Sequence, residues 1–200
     1  MEWSSLAVVD TSFLLIALLP FVFFRRDGKF TVMWCLTALP YAVALVYVAR
    51  LFFVEVDLVA EIDPSTRRLM QVLGSVLSCV SVGLISMTIG THRIPLALWH
   101  QSKQNDEPAH IVTWGSYKYV RHPFYAAFLL AWIGSVLVVP VWIMIALAVY
   151  ACGLLFHTAK KEERRLANED GQMGHEYRSY MQRTGRFFPR IFGGSYGIGQ

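Results

Sequence analysis

Charged residues are scarce in this 200-residue chain. Asp, Glu, Lys and Arg make up 16% of it against 55% hydrophobic residues, and a mean hydropathy of +0.43 does not describe a water-facing surface. Cysteine is scarce too. Cys35, Cys79 and Cys152 all fall inside apolar stretches, where they read as small packing residues, so no disulfide framework, metal site or redox chemistry is expected. Internal repeats and low-complexity tracts are missing, and a secreted disulfide scaffold, a coiled coil and a disordered tail are excluded. In their place stand five apolar runs, each long enough or nearly long enough to cross a hydrocarbon layer about 30 Å thick.

These runs predict membrane helices over 6–24, 32–53, 69–89, 124–139 and 141–157. The fold class is all-α: a polytopic membrane protein with about five transmembrane helices and a cytoplasmic amphipathic C-terminal helix. The first run ends in Arg25 and Arg26 without a basic start or a small-residue cleavage site, so it reads as a retained helix. Residues 25–29 form a short basic turn. The connection over 55–68 carries Glu55, Asp57, Glu61 and Asp63, and the polar stretch 91–118 belongs at the membrane face, its amphipathic start at 94–99 lying along the interface. Of the 18 Lys and Arg residues, 15 fall in 25–29, 93–121 and 160–190. Positive charge marks the loops kept in the cytoplasm, which sets the amino terminus outside and the carboxyl terminus inside. The net charge of +4 is therefore read as topology, and no nucleic-acid partner is expected. Only Pro140 separates the last two runs, which predicts a tight antiparallel hairpin. Ser75, Cys79 and Gly83 form a small-residue stripe that admits a close neighbouring helix and permits a homodimer. Residues 193–200 read as a flexible end.

Three polar clusters, at 115–125, 160–165 and 176–190, converge on the cytoplasmic face. From the turn at Pro140, a rise of 1.5 Å per residue puts His122 and Glu162 at heights differing by roughly 7 Å, a gap suited to one elongated polar ligand. Pro123 fits the first position of a helix, where its missing N–H has no partner to lose. Arg121 and His122 then stand at a helix amino terminus, where backbone donors, the helix dipole and a guanidinium suit a carboxylate or phosphate. The plainer alternative is a helix end anchored among lipid headgroups. Glu162 and Glu163 suit an ammonium group or a ribose hydroxyl, or else simply decorate a solvated helix. Lying about 100° apart, at most one of the two points fully into a pocket. The third cluster includes Gly174, Glu176, Tyr177, Tyr180, Arg183, Arg186, Phe187 and Pro189; an amphipathic interfacial helix accounts for it equally well. His157 reads as an interface residue.

The run His110-Ile111-Val112-Thr113-Trp114-Gly115-Ser116-Tyr117, the motif Arg121-His122-Pro123-Phe124-Tyr125, the pair Glu162-Glu163 with Leu166, and then Gly174, Glu176, Tyr177, Tyr180 and Pro189 resemble the isoprenylcysteine carboxyl methyltransferase and phospholipid methyltransferase superfamily. The likeness covers 110–190. It implies one integral-membrane domain, with N-terminal transmembrane helices over 1–91 and a cofactor-binding catalytic region over 92–192. It also implies methyl transfer from S-adenosyl-L-methionine, leaving S-adenosyl-L-homocysteine, to a lipophilic acceptor drawn from membrane lipid or a lipidated molecule. On this likeness His110, Val112, Gly115, Tyr117, His122, Pro123, Tyr125, Glu162 and Glu163 contact the cofactor. Arg121 serves the reaction, and Arg183 or Arg186 holds the acceptor if it is a carboxylate. Where the family often has Gly, this chain has Ala127, which implies a tighter pocket wall. Membrane sterol and steroid reductases, which use NADPH, share an Arg-His-Pro-x-Tyr stretch, but theirs usually has Asn before the Tyr and Gly-Glu soon after. Here Phe124 and Ala127-Phe128 occupy those places. A silent membrane scaffold is a third reading; transport is disfavoured because 32–53 and 69–89 contain almost no ionisable residue.

Overall fold

The computed structural model describes residues 3–23, 32–54, 58–91, 111–168 and 170–190. The basic turn at 25–29, the interfacial start at 94–99, His110 and the end at 193–200 lie outside the described residues. The described residues form six α-helices: α1 (Trp3–Phe23), α2 (Val32–Arg50), α3 (Pro64–Thr91), α4 (Pro123–Val138), α5 (Trp142–Ala167) and α6 (Gln172–Arg183). A 3-10 turn, Gly115–Lys118, precedes α4. Among the described residues there is no strand, and a single parallel bridge joins Val120 to Gly185. α3 and α5 are each long and apolar enough to cross a membrane, while Trp3–Leu19, Ala38–Arg50 and Pro123–Val138 form shorter apolar helices.

α3 begins earlier than its apolar run because its start is capped by a side chain. Asp63 Oδ1 accepts from the backbone N–H of Ser65 at 3.1 Å and of Thr66 at 3.0 Å, and Pro64 supplies a first residue with no N–H to satisfy. Arg67 and Arg68 are thereby drawn into the helix. At the same end of the molecule the Val59 N–H donates to the Pro140 carbonyl at 2.9 Å, tying the connection after α2 to the α4–α5 turn. α5 passes without a break from its apolar stretch into Lys160-Lys161-Glu162-Glu163-Arg164-Arg165.

The closest helix contact joins α3 to α4. A Cβ placed on Gly74 would stand 2.6 Å from the Gly134 carbonyl oxygen, and one on Gly134 would stand 2.7 Å from the oxygen of Gly74. Ser81 Oγ donates to the Ala127 carbonyl at 2.7 Å across the same seam. The buried face of α3 thus runs through Gly74, Ser78, Ser81 and Thr88. The stripe expected at Ser75, Cys79 and Gly83 is rotated away from it: Cys79 and Gly83 are exposed, and a Cβ placed on Gly83 would meet no neighbouring element within 4 Å. Gly134 decides this phase, since only another glycine admits its backbone so closely. Ala127, fully buried in the same core, packs there rather than walling a pocket. Beneath it Phe13, Tyr41 and Trp132 bring α1, α2 and α4 together, with ring centroids 4.8 to 6.0 Å apart.

Candidate functional site

Geometry at the start of α4 is set from three directions. Gly115, at φ +61°, has no room for a side chain because a Cβ would lie 2.2 Å from Thr91 Oγ1, so the turn sits tight on the end of α3. Pro123 is buried at the first position of α4. The segment after α6 then runs beside residues 120–122: the N–H of Arg121 donates to the Gly185 carbonyl at 2.8 Å and that of His122 to the Arg186 carbonyl at 3.1 Å. Two donors that the sequence offered to an anion are therefore used by the protein's own chain. Gly185 is required here, since a Cβ on it would lie 1.7 Å from the Phe188 carbonyl oxygen.

Glu163, at the end of α5, is the hub of this arrangement. Its side chain is 3% exposed, yet it is a carboxylate with charged neighbours. Arg121 Nε donates to Oε1 at 2.9 Å. Arg186 donates through Nε to Oε2 at 3.0 Å and through Nη2 to Oε2 at 2.5 Å. Burial pushes this carboxyl up, but the hydrogen bonds and charges of the two guanidinium groups outweigh it and leave the net shift downward. Arg121 also donates through Nη1 to the carbonyls of Met181, at 3.1 Å, and Thr184. Those carbonyls at the end of α6 have no partner further along the helix. Arg121 thus links α4, α5 and α6, and the anion role read from its sequence position gives way to an internal one.

Glu162 faces differently. Its side chain is 47% exposed and accepts from the Tyr125 hydroxyl at 3.0 Å. Burial pushes its carboxyl up, with the Tyr125 hydrogen bond and Arg165 acting against it. His122 lies between the two acids, Nδ1 3.5 Å from Glu162 and Nε2 3.4 Å from Glu163, and its ring stacks on Tyr125 with planes 2° apart and centroids at 5.3 Å. Desolvation dominates its titration and pulls it down to about 4, Glu163 opposing and Arg121 reinforcing the shift, so the imidazole is neutral at pH 7. His122 Nε2 and the hydroxyl of Ser116 are buried without a hydrogen-bond partner.

The structure brings together Arg121, His122, Pro123, Tyr125, Glu162, Glu163 and Arg186. Tyr117 joins them through its carbonyl, which accepts from the Tyr180 hydroxyl at 2.6 Å, and Val112 lies half-buried in the chain leading to Gly115. His110 lies outside the described residues. Arg183 is exposed and lines a separate groove of about 290 Å³ with His175, Glu176 and Ser179, making no ion pair with Glu163. One contributor escaped sequence reasoning: the carbonyls of the segment after α6, which no side-chain pattern advertises. Phe187 is buried against Ala126, Leu129, Leu155 and Ala159 and meets Phe156 edge-on at 4.7 Å.

Residues 76–168 match the isoprenylcysteine carboxyl methyltransferase family. That match, over a little under half of the chain, supports membership in the isoprenylcysteine carboxyl methyltransferase superfamily. Comparison with curated proteins gave no match. That family is one of membrane-integral methyltransferases, and α3 and α5 of this chain are apolar enough to cross a bilayer. The matched span takes in most of α3, the 3-10 turn, α4 and α5 with both glutamates. It stops before α6 and the segment carrying Arg186.

The residues present fit the methyl donor of that superfamily. S-adenosylmethionine offers an ammonium, a carboxylate, a ribose diol and a sulfonium. For those groups the site offers a half-exposed carboxylate, an Arg186 guanidinium whose side chain is 34% exposed, and the Tyr125 ring with the His122 imidazole stacked behind it.

Proposed function

We propose that this protein transfers a methyl group from S-adenosylmethionine to a lipophilic acceptor at the cytoplasmic membrane face. The acceptor class is a prenylcysteine-type carboxylate or another lipid oxygen or nitrogen. One observation carries the reading: the start of α4 and the end of α5 meet, so that Tyr125 and Glu162 form an accessible edge, with His122 packed behind them, beside the Glu163–Arg121–Arg186 cluster. The topology is five crossings, amino terminus outside and carboxyl terminus inside, on the distribution of Lys and Arg.

The donor supplies an electrophilic methyl on sulfonium sulfur. The protein's part is to bind, orient and exclude water, which suffices for an in-line displacement. Glu162 holds the cationic part of the ligand, with the Tyr125 hydroxyl keeping the carboxylate turned toward the stack. Aromatic faces of His122 and Tyr125 favour a neighbouring positive charge. A neutral His122 avoids repelling it. Arg186, held by Glu163, presents its remaining donors to a carboxylate. A carboxylate acceptor needs no general base. A tail of apolar carbons is more stable in hydrocarbon than in water, so the acceptor approaches laterally from the bilayer.

Calorimetry with S-adenosylhomocysteine on the purified protein tests the reading. We expect saturable binding, weakened about tenfold or more in His122→Ala and in Tyr125→Phe, each of which removes a contact of the kind that costs 1–3 kcal/mol when left unpaired. Saturable NADPH binding with no response to S-adenosylhomocysteine overturns it in favour of the reductase reading. Equal methylation of acceptors with and without an apolar tail overturns lateral approach.

A further inference from the structure

The stretch Lys160-Lys161-Glu162-Glu163-Arg164-Arg165 looks charge-balanced, but the helix sorts it. At about 100° per residue, Lys160, Arg164, Lys161 and Arg165 fan over roughly 140° of the α5 surface, and the two glutamates centre on the opposite side. Burial agrees: Glu163 points into the site, whereas all four bases are exposed.

These bases continue a stripe that runs the length of the helix. Trp142, Val149, Tyr150, Phe156 and His157 are all exposed on the same side, with Trp142 at 71% and Val149 at 68%. From Trp142 to Lys160 the rise is about 27 Å, close to the roughly 30 Å hydrocarbon thickness. An aromatic ring at one end, apolar side chains between and cations at the other is the order of media met in crossing a bilayer. Above His157, Lys160 and Lys161 rise about 5–6 Å and Arg164 and Arg165 about 10–12 Å. Helical side chains lean toward the amino end, which for α5 is the membrane side. All four ammonium and guanidinium groups are thereby directed back at the headgroup layer, itself some 5–8 Å deep.

We propose that this face of α5 is a binding surface for the phosphates of anionic phospholipids, and that lipid held there sets the height of the Glu162–Glu163 site relative to the headgroups. The inference rests on α5 spanning the bilayer and needs no methyl transfer. Charge complementarity selects the occupant: four cations, with Glu162 beyond Arg165 at the edge of their fan, next to a lipid-facing apolar stripe, match a headgroup that carries a phosphate and no compensating ammonium.

The test uses the full chain purified in mild detergent and mixed with phosphatidylglycerol or phosphatidylcholine. The variant Lys160→Gln/Lys161→Gln/Arg164→Gln removes three cations; Arg165 is left in place because its charge also acts on Glu162. We expect the unaltered protein to retain phosphatidylglycerol over phosphatidylcholine in native mass spectrometry and to melt higher when it is added, an effect that fades in high salt. The variant should melt at the same temperature in phosphatidylcholine and lose the preference by about tenfold or more. Equal preference in the two proteins, or equal stabilisation by soluble glycerol phosphate, overturns the proposal. Because neither donor nor acceptor enters these readouts, they stand apart from the outcome of the S-adenosylhomocysteine titration.

Discussion

A buried carboxylate is costly unless its charge and hydrogen bonds are answered, and Glu163 is answered by Arg121 and Arg186. Removing one member of such a set leaves the others buried and unpaired. We expect Glu163→Gln to lower unfolding stability by about 3–5 kcal/mol, and Glu162→Gln, whose side chain is half-exposed, to change it by no more than about 1 kcal/mol. Denaturation in detergent measures both, and equal losses would refute the division between structural and ligand-facing acid. His122 supplies a pH prediction. Its folded value of about 4 lies below the ordinary 6.5 because burial disfavours the imidazolium. Between those values the unfolded chain binds the proton and the folded one does not, so this group withdraws stability as pH falls from 6.5 toward 4. Glu162, pushed up by burial, acts with the opposite sign near the lower end of that range, so the informative quantity is a difference between proteins. Melting temperatures from pH 7 to 4.5 should fall more steeply for the unaltered protein than for His122→Gln; parallel curves would show that His122 is not buried neutral.

For the helices, the decisive feature is rotation about each axis. In lipid the drive to associate comes from close packing and interhelical hydrogen bonds, and the Gly74–Gly134 crossing supplies the first while Ser81 to Ala127 supplies the second. Gly134→Val should destabilise by about 1–3 kcal/mol or more, since the new side chain meets backbone and cannot be relieved by a rotamer change. Gly83→Ala, which meets nothing, should be neutral or gain a few tenths to 1 kcal/mol from helix propensity. The pair, measured side by side, distinguishes the seam observed from the stripe at Ser75, Cys79 and Gly83. That stripe had been legible as small-residue spacing, but not its phase: α3 carries two such rows, and the partner glycine on α4 selects one.

Taken whole, the molecule closes on itself through the segment after α6. Backbone bonds from Arg121 and His122 to Gly185 and Arg186 join chain positions more than sixty residues apart, and the Arg186–Glu163 pair and the buried Phe187 fasten the same segment to α5. A chain ending at Arg183 should therefore keep its helices by circular dichroism while melting lower and losing S-adenosylhomocysteine binding. Unaltered affinity in that truncation would show that the closing segment is dispensable to the site.

Read alone, the order of residues determined a good deal. Apolar runs, Pro123 and Pro140 marked helices, a helix start and a hairpin turn, because chain length in hydrocarbon and the geometry of proline are local matters. The Arg-His-Pro-x-Tyr motif and the paired acids could then be placed near one another by counting residues from the turn. Which acid is buried, whether Arg121 faces a ligand or the protein, and which row of α3 meets α4 were decided by the tertiary structure. The physical reason is common to all three: a helix that is apolar on nearly every side carries no preferred direction of its own, and its rotation is settled only when backbone meets backbone and a charge finds its partner.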